Sequence, residues 1–449
     1  MGTDDSLEIT AHSSGISYQD LIASDRVPAP DVLKMVNPID LPTTRVPVSQ
    51  FTTREFHDLE MTRLWPKVWQ MACREEEIPR VGDHVIYEIG KYSIIVIRTE
   101  EGIKAHHNAC LHRGRRLRDR DGRVLQFTCP FHGFTWNIDG SLKHIPSRWD
   151  FPDIKDDEFG LPSAQVGTWG GWVFINMDEN AEPLNDFLGV LPEHFKIWQP
   201  ENCYIQAHVA KIMVTNWKVV QEAFMEAYHV IMTHPQMLPG IGDENSQYDV
   251  WGNISRAVTP NGTPSPHLSF TPDEQAMFDA MSDRRMDGPP IVEIPADMTA
   301  RATSASGSRQ TASDLTGREV SDAELVDSIY YTVFPNFHPW SPFNRIQYRF
   351  RPYQDDHRKS IMEVYFLAPF KGERPTPAKT HWLTEEQDWT DAEELGMLAR
   401  VFNQDSMNLP NVQIGLEAAQ NKEVVFSRYQ ETKIRHFHHL LNQYVSQEE

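Results

Sequence analysis

The sequence predicts an α+β protein, with a small all-β unit followed by a larger unit that mixes strands and helices. Three observations predict it. Short strand-like runs with turn signals crowd residues 46–165, strand runs and helical stripes interleave beyond 166, and 449 residues suffice for two or three conventional domains with a substantial core.

In chain order, residues 1–45 are mixed and Pro-containing, and are expected to form an arm packed on the body or on a neighbour. Within 46–165, Val85–Glu88 and Tyr92–Arg98 read as strands joined across Gly90, and Asn137-Ile138-Asp139-Gly140 reads as a turn. Within 166–449, strands are expected at Trp172–Asn176, Ser328–Phe334, Ile346–Arg351 and Ile361–Leu367. Helices are expected around His229, at Ala392–Met407 and at Ile434–Tyr444. Residues 295–322 are rich in Ser, Thr, Ala and Gly without apolar periodicity. They read as a mobile insert, suited equally to a lid or a linker.

A formal charge of −22 disfavours nucleic acid and anionic membranes as partners. No run approaches the eighteen apolar residues of a membrane span, and the start at Asp4 and Asp5 lacks a secretory pattern. Met1–Ser6 fits a myristoylation pattern, but so short a match is common and no basic residues support it. The cysteines are Cys73, Cys110, Cys129 and Cys203. Once two of them bind a metal group, as argued next, the other two make no disulfide framework, so a cytoplasmic location is expected.

Cys110-Leu111-His112 is followed, sixteen residues later, by Cys129-Pro130-Phe131-His132. Two thiolates and two imidazoles spaced this way suit a mixed-ligand [2Fe–2S] cluster, cysteines on one iron and histidines on the other. Structural zinc uses the same residue types but usually pairs Cys with Cys and His with His, so it stays the minor alternative. Between the pairs lie Arg113, Arg115, Arg116, Arg118, Arg120 and Arg123 against Asp119 and Asp121. Such an island is either a solvated loop or a collar that steers an acidic electron donor, with Arg115 and Arg118 as candidate docking residues.

Downstream, His229 and His234 lie five apart. Five residues are about 1.4 helical turns, so a regular helix would splay the imidazoles, whereas a π-bulge or a break would let them converge. Pro235 marks the end of that segment. Two histidines and a carboxylate make the facial triad of non-haem Fe(II) oxygenases. The carboxylate must come from elsewhere: Leu395, Leu398 and Phe402 form an apolar stripe that runs into Gln404-Asp405, though an Asp on such a helix is usually solvated.

The two Cys/His loops with Arg113-Gly114 and Gly133, the Asn216-Trp217-Lys218 lead-in to the histidine pair, and the Gln404-Asp405 segment resemble Rieske non-haem iron ring-hydroxylating oxygenases, large (alpha, catalytic) subunit. The resemblance runs from Asp83 to His439. It implies a Rieske [2Fe–2S] domain over 46–165 held by Cys110, His112, Cys129 and His132. It also implies a catalytic domain over 166–449 whose antiparallel sheet wraps a long helix (a helix grip), with Fe(II) on His229, His234 and Asp405.

It further implies electrons from NADH through a separate reductase, with or without a ferredoxin, since no nucleotide-binding glycine motif is present here. A homotrimer is implied, with or without a small beta subunit, in which His132 of one chain faces the next chain's residue 226. Most members carry Asp at that bridging position; this chain has Glu226, and Ala223 where Asn is frequent. A glutamate bridge occurs in the branch that oxidises quaternary ammonium compounds.

Phe224, Met225, Met232, Phe334, Phe343, Phe402 and Met407 flank the ligands, and some are expected to line an apolar pocket. The expectation is hydroxylation of a hydrophobic, aromatic substrate by O₂. The alternatives are a monooxygenase acting by N- or O-dealkylation or on a quaternary ammonium group, and, more distantly, an electron carrier or zinc-stabilised binding protein.

Overall fold

The computed structural model describes residues 15–282, 290, 292–341, 343 and 345–446. The Met1–Ser6 start lies outside them.

The first unit is a seven-stranded sheet in the order Gln70–Arg74, Trp172–Asn176, Ser163–Trp169, Gly102–His107, Tyr92–Thr99, Asp83–Ile89, Gly122–Arg123. It faces a small sheet of Gln126–Thr128, Thr135–Asn137 and Leu142–His144. Tyr92–Thr99 shows why this forms: Ile94 and Val96 enter the main core, while Ile95 and Ile97 enter a second core with Phe127, Phe134 and Trp136. A strand covered on both faces reads as a continuous apolar run. Gly90 turns that hairpin at φ 53°.

The division expected at 165/166 falls inside strand Ser163–Trp169. The next strand, Trp172–Asn176, pairs with Gln70–Arg74 and so completes the first sheet. Its fully buried apolar run looks the same in either unit, so the sequence does not show which sheet it joins.

The second unit is an eight-stranded sheet in the order Gln247–Trp251, Ile254–Thr259, Ser328–Val333, Phe337–Pro339, Ile346–Tyr353, Asp356–Pro369, Cys203–Met213, His381–Leu383. It is antiparallel except at its edge, where His381–Leu383 runs parallel to Cys203–Met213. Helices Trp217–Glu222, Leu398–Ala418 and Thr432–Val445 pack against this body. The long helix begins later than expected, because Gly396 at φ 57° ends a preceding tight turn, and it runs through Pro410 to Ala418.

The expected mobile insert is a correction of another kind. Ala300–Thr316 is a 17-residue helix, capped by the Thr299 side chain and stopped by Gly317 in the left-handed region. Ala302, Ala305 and Ala312 face inward, and Arg301 is buried between Asp25 and Asp327, at 2.8 and 2.9 Å. Small side chains and one buried cation seat this helix, so apolar periodicity does not betray it.

The arm, from residue 15 on, lies on the second unit: Asn37 donates to Asp249, and Arg256 donates to the carbonyls of Val32 and Met35. Arg45–Pro47 pairs with Glu423–Val425 in a two-stranded ribbon, Val46 opposite Val424.

Candidate cluster loops and metal centre

The two Cys/His loops are near-copies of one turn. The Cys110 N–H donates to the Arg115 carbonyl at 2.9 Å and Gly114 N–H to the Cys110 carbonyl at 2.8 Å. The Cys129 N–H likewise donates to Phe134 at 2.8 Å, and Gly133 to Cys129 at 3.0 Å. Gly114 and Gly133 sit at φ 73° and 77°, where a side chain would be strained, so both glycines are required by the turn.

The turns bring all four predicted ligands together. Cys110 and Cys129 are buried free thiols, and the His112 and His132 rings lie 4.6 Å apart. The Nδ1 atoms of both histidines are buried without a hydrogen-bond partner. Orphaned buried nitrogens are costly, and a metal is the partner that such atoms suit. Burial, together with the neighbouring Cys129 thiol, pushes the Cys110 thiol up. Two sulfurs and two unpaired imidazole nitrogens fit a Rieske cluster.

The arginine island is less free than its composition implies. Arg115 is paired with Asp119 at 2.7 Å and Arg116 with Glu88 at 2.6 Å, while Arg118 donates to His84 Nε2 at 3.1 Å. Arg113 lies over the Phe131 ring with its Nη2 2.8 Å from His132 Nε2. The surface here is also apolar: Leu125, Phe131 and Trp149 are 74, 59 and 81 % exposed.

The second group forms by a break. Helix Trp217–Glu222, capped by Asn216, stops, and a four-residue helix, Val230–Thr233, carries His229 at its start and His234 at its end. Thr233 N–H donates to the His229 carbonyl at 2.9 Å and His234 N–H to the Val230 carbonyl at 3.0 Å, so the pair flanks one helical turn, and with His234 leaving the helix at φ −127° the rings stand 5.3 Å apart. Asp405, buried on the long helix, places Oδ1 2.9 Å from His234 Nε2 and 3.6 Å from His229 Nε2. One donor atom from each of the three residues falls within 4.8 Å of the others.

Neighbours fix both rings. Glu226 Oε1 lies 2.7 Å from His229 Nδ1, and its Oε2 accepts the His229 backbone N–H at 2.9 Å. Gln404 Oε1 lies 2.9 Å from His234 Nδ1 and is itself held by Gln236 at 2.8 Å. With each Nδ1–H donating to these acceptors, both Nε2 atoms turn toward Asp405 and are left able to bind a metal. Burial alone would lower the His229 pKa, but the Glu226 and Asp405 carboxylates outweigh it and lift it to about 9. Two imidazoles and one carboxylate with oriented lone pairs fit a 2-His-1-carboxylate metal site. In the sequence Gln404 is only a neighbour of Asp405; its contact with His234 appears in three dimensions.

The seven apolar flanking residues do not form one pocket. Met225, Phe334 and Phe402 are core, whereas Met232 and Met407 are 82 and 68 % exposed. Phe343 lines a separate cavity of about 320 Å³ beside helix Ala300–Thr316, which none of the three ligand candidates lines. Phe224 stays near the site, packed on Tyr348 and Phe402 at 5.2 and 6.0 Å.

Known proteins resemble this arrangement. Over 195 residues the chain is 33 % identical to the glycine betaine monooxygenase oxygenase subunit of Pseudomonas aeruginosa, covering 43 % of this chain and 45 % of that one. Over 199 residues it is 33 % identical to the anthranilate 1,2-dioxygenase large subunit of Acinetobacter baylyi, covering 42 % of each. The match thus spans about half the length of these curated relatives. The fold matches a solved quaternary ammonium Rieske monooxygenase, described in terms of carnitine oxidation and inter-subunit electron transfer. There the TM-score is 0.63 at 19 % identity over 91 % of this chain and 100 % of that one. Residues 68–155 match the Rieske [2Fe-2S] domain and residues 200–447 the ring hydroxylating alpha subunit (catalytic domain). The chain therefore belongs to the ring-hydroxylating alpha-subunit family, with a Rieske domain ahead of the catalytic domain.

Proposed function

We propose that this chain is the terminal oxygenase of a multicomponent Rieske system, and that it inserts one oxygen atom from O₂ into a quaternary ammonium substrate. The observation that carries the substrate class is Glu226, a glutamate at the bridging position, clamped on His229. The relatives support it: glycine betaine and carnitine are named for two of the three. Those two and anthranilate share a carboxylate. The aromatic-hydrocarbon reading has less support, because of the seven apolar residues expected to make that pocket only Phe224 stays beside the ligand candidates.

Cys110, His112, Cys129 and His132 would hold the cluster, and His229, His234 and Asp405 the Fe(II). When bound, the cluster supplies single electrons and the iron supplies the open positions at which O₂ is activated. The protein's own part is orientation. Glu226 and Gln404 hold the imidazole tautomers and aim Nε2, and Phe224, half-buried and packed on Tyr348 and Phe402, offers the substrate side an aromatic face for an onium group. Electrons would come from NADH through a separate reductase, with or without a ferredoxin. In a homotrimer, His132 of one chain would meet the next chain's Glu226.

The test is one turnover of chemically reduced, iron-loaded protein in ¹⁸O₂, with quaternary amines and aromatic acids as separate substrates, read by mass spectrometry. One labelled oxygen per turnover in the organic products, with cleavage of an N–C bond, supports the reading. Two labelled oxygens in a ring product would replace it with aromatic dihydroxylation.

A further inference from the structure

Buried cations in this protein have partners. Lys218 pairs with Glu60 at 2.6 Å, Arg256 with Asp249 at 2.6 Å and Arg349 with Glu363 at 2.7 Å, while Lys211 is wrapped by the carbonyls of Thr384, Glu385 and Gln387. Lys433 is the exception. It is fully buried in the first turn of helix Thr432–Val445, and its Nζ lies 4.2 Å from the centre of the Tyr330 ring. Among the described residues its one side-chain hydrogen bond is to the Tyr330 carbonyl, at 3.4 Å. Among the described residues no carboxylate pairs with it. An ammonium that has lost its water without gaining an anion is an expensive arrangement.

The strand segment that meets Tyr330 carries further buried polar atoms without partners. His338 Nε2, Trp340 Nε1 and Ser341 Oγ are buried without a hydrogen-bond partner. Antiparallel register places His338 opposite Tyr348 and Trp340 beside Tyr330. Trp340 stacks on Tyr330 at 4.9 Å and meets Tyr348 at 5.8 Å; Tyr348 meets Phe402 at 6.0 Å, less than one helical turn before Asp405. A continuous aromatic wall therefore joins the unpaired cation to the metal-ligand trio. Phe224, His229 and Trp340 along it keep partial exposure.

We propose that Lys433, with His338, Trp340 and Ser341, forms a subsite for the carboxylate of the substrate, whose methylated nitrogen is then presented to His229, His234 and Asp405. This rests on the oxygenase reading above and narrows it from quaternary ammonium compounds in general to zwitterions with a carboxylate. The three donors and the ammonium complement two carboxylate oxygens, and the faces of Tyr348 and Phe224 suit the onium end. Burial holds the Lys433 ammonium well below its ordinary range and, with the charge of Lys433, also depresses His338. An anion at the subsite would relieve both.

The test is equilibrium binding to the iron-loaded protein by calorimetry, with two matched pairs: glycine betaine against choline, and anthranilate against aniline. Wild type is expected to favour the carboxylated member of a pair. Lys433→Met should cut that preference about tenfold or more, as loss of a charge-assisted hydrogen bond implies. Trp340→Phe keeps the ring, removes one donor and should shift the preference the same way, so the test survives if the lysine variant fails to fold. If both quaternary ligands bind and neither variant changes their ratio, the subsite is wrong and the substrate class stands. If only anthranilate binds and Lys433→Met weakens it, the subsite stands and the quaternary reading falls. If none of the four binds wild type, both fall.

Discussion

Glu226 holds His229 at two points, Oε1 at 2.7 Å from the ring Nδ1 and Oε2 at 2.9 Å from the backbone N–H. A carboxylate spent this way fixes both the tautomer and the rotation of the imidazole, yet keeps lone pairs for a donor from outside the chain. Glu226→Gln keeps the shape and loses the charge. It is expected to retain iron and cluster while slowing single-turnover oxidation of the cluster about 10- to 100-fold, the usual cost of altering such a partner. Stopped-flow absorbance of the reduced cluster, mixed with O₂ and substrate, measures it. An unchanged rate removes Glu226 from the electron route.

Asp405 and Gln404 are neighbours with different parts. Asp405→Ala should abolish iron binding and oxygenation but leave the visible spectrum of the cluster intact, because the cluster loops belong to the other unit. Gln404→Leu removes the acceptor at His234 Nδ1 and should weaken iron binding by about 10- to 100-fold without abolishing it. Iron titration monitored by elemental analysis separates the two; loss of the visible spectrum in either variant would place the residue in the wrong site.

Arg301 anchors helix Ala300–Thr316 through Asp25 and Asp327. Arg301→Met leaves two carboxylates facing each other without the cation, at a cost of about 3–5 kcal/mol. A marked fall in Tm is expected in calorimetry, with increased proteolysis near the helix; a Tm equal to wild type would mean that the Ala face alone seats it.

His436 is buried, hydrogen-bonded to the Gly252 carbonyl at 2.8 Å, and burial brings its pKa down from 6.5 to about 4. Since the folded pKa lies below the unfolded one, the unfolded chain binds more protons between those values. Stability is therefore full above about pH 6.5 and falls as pH drops toward 4, by roughly 3 kcal/mol for this group. Urea unfolding across pH 7 to 4 should show that slope, and His436→Gln should flatten it. A slope identical in the variant would assign acid sensitivity to other groups, His194 first, which burial also depresses to about 4.

Local features were legible and distant pairings were not. The cluster loops could be read because each is closed by hydrogen bonds within six residues, with Gly114 and Gly133 marking the turns. The end of the helix at His234 was legible because Pro235 follows it. Asp405 stood out only by family resemblance, since nothing in its own helix says that His234 lies opposite. Gln404 and Lys433 stayed hidden because their meaning depends on what faces them across the fold. The helix at 300–316 did leave a trace, Thr299 before it and Gly317 after it, which its polar composition obscured.

The ribbon that joins Arg45–Pro47 to Glu423–Val425 pairs residues 378 positions apart. During synthesis Val46 leaves the ribosome 378 residues before Val424, and its strand has no mate until Val424 follows. The first sheet needs nothing beyond Asn176 for its own strand pairings, so the cluster loops can close long before the ribbon does. Assembly of this protein is thus expected to be ordered in time. The sheet that carries the cluster loops can close first, and the ribbon closes only after both units have been made.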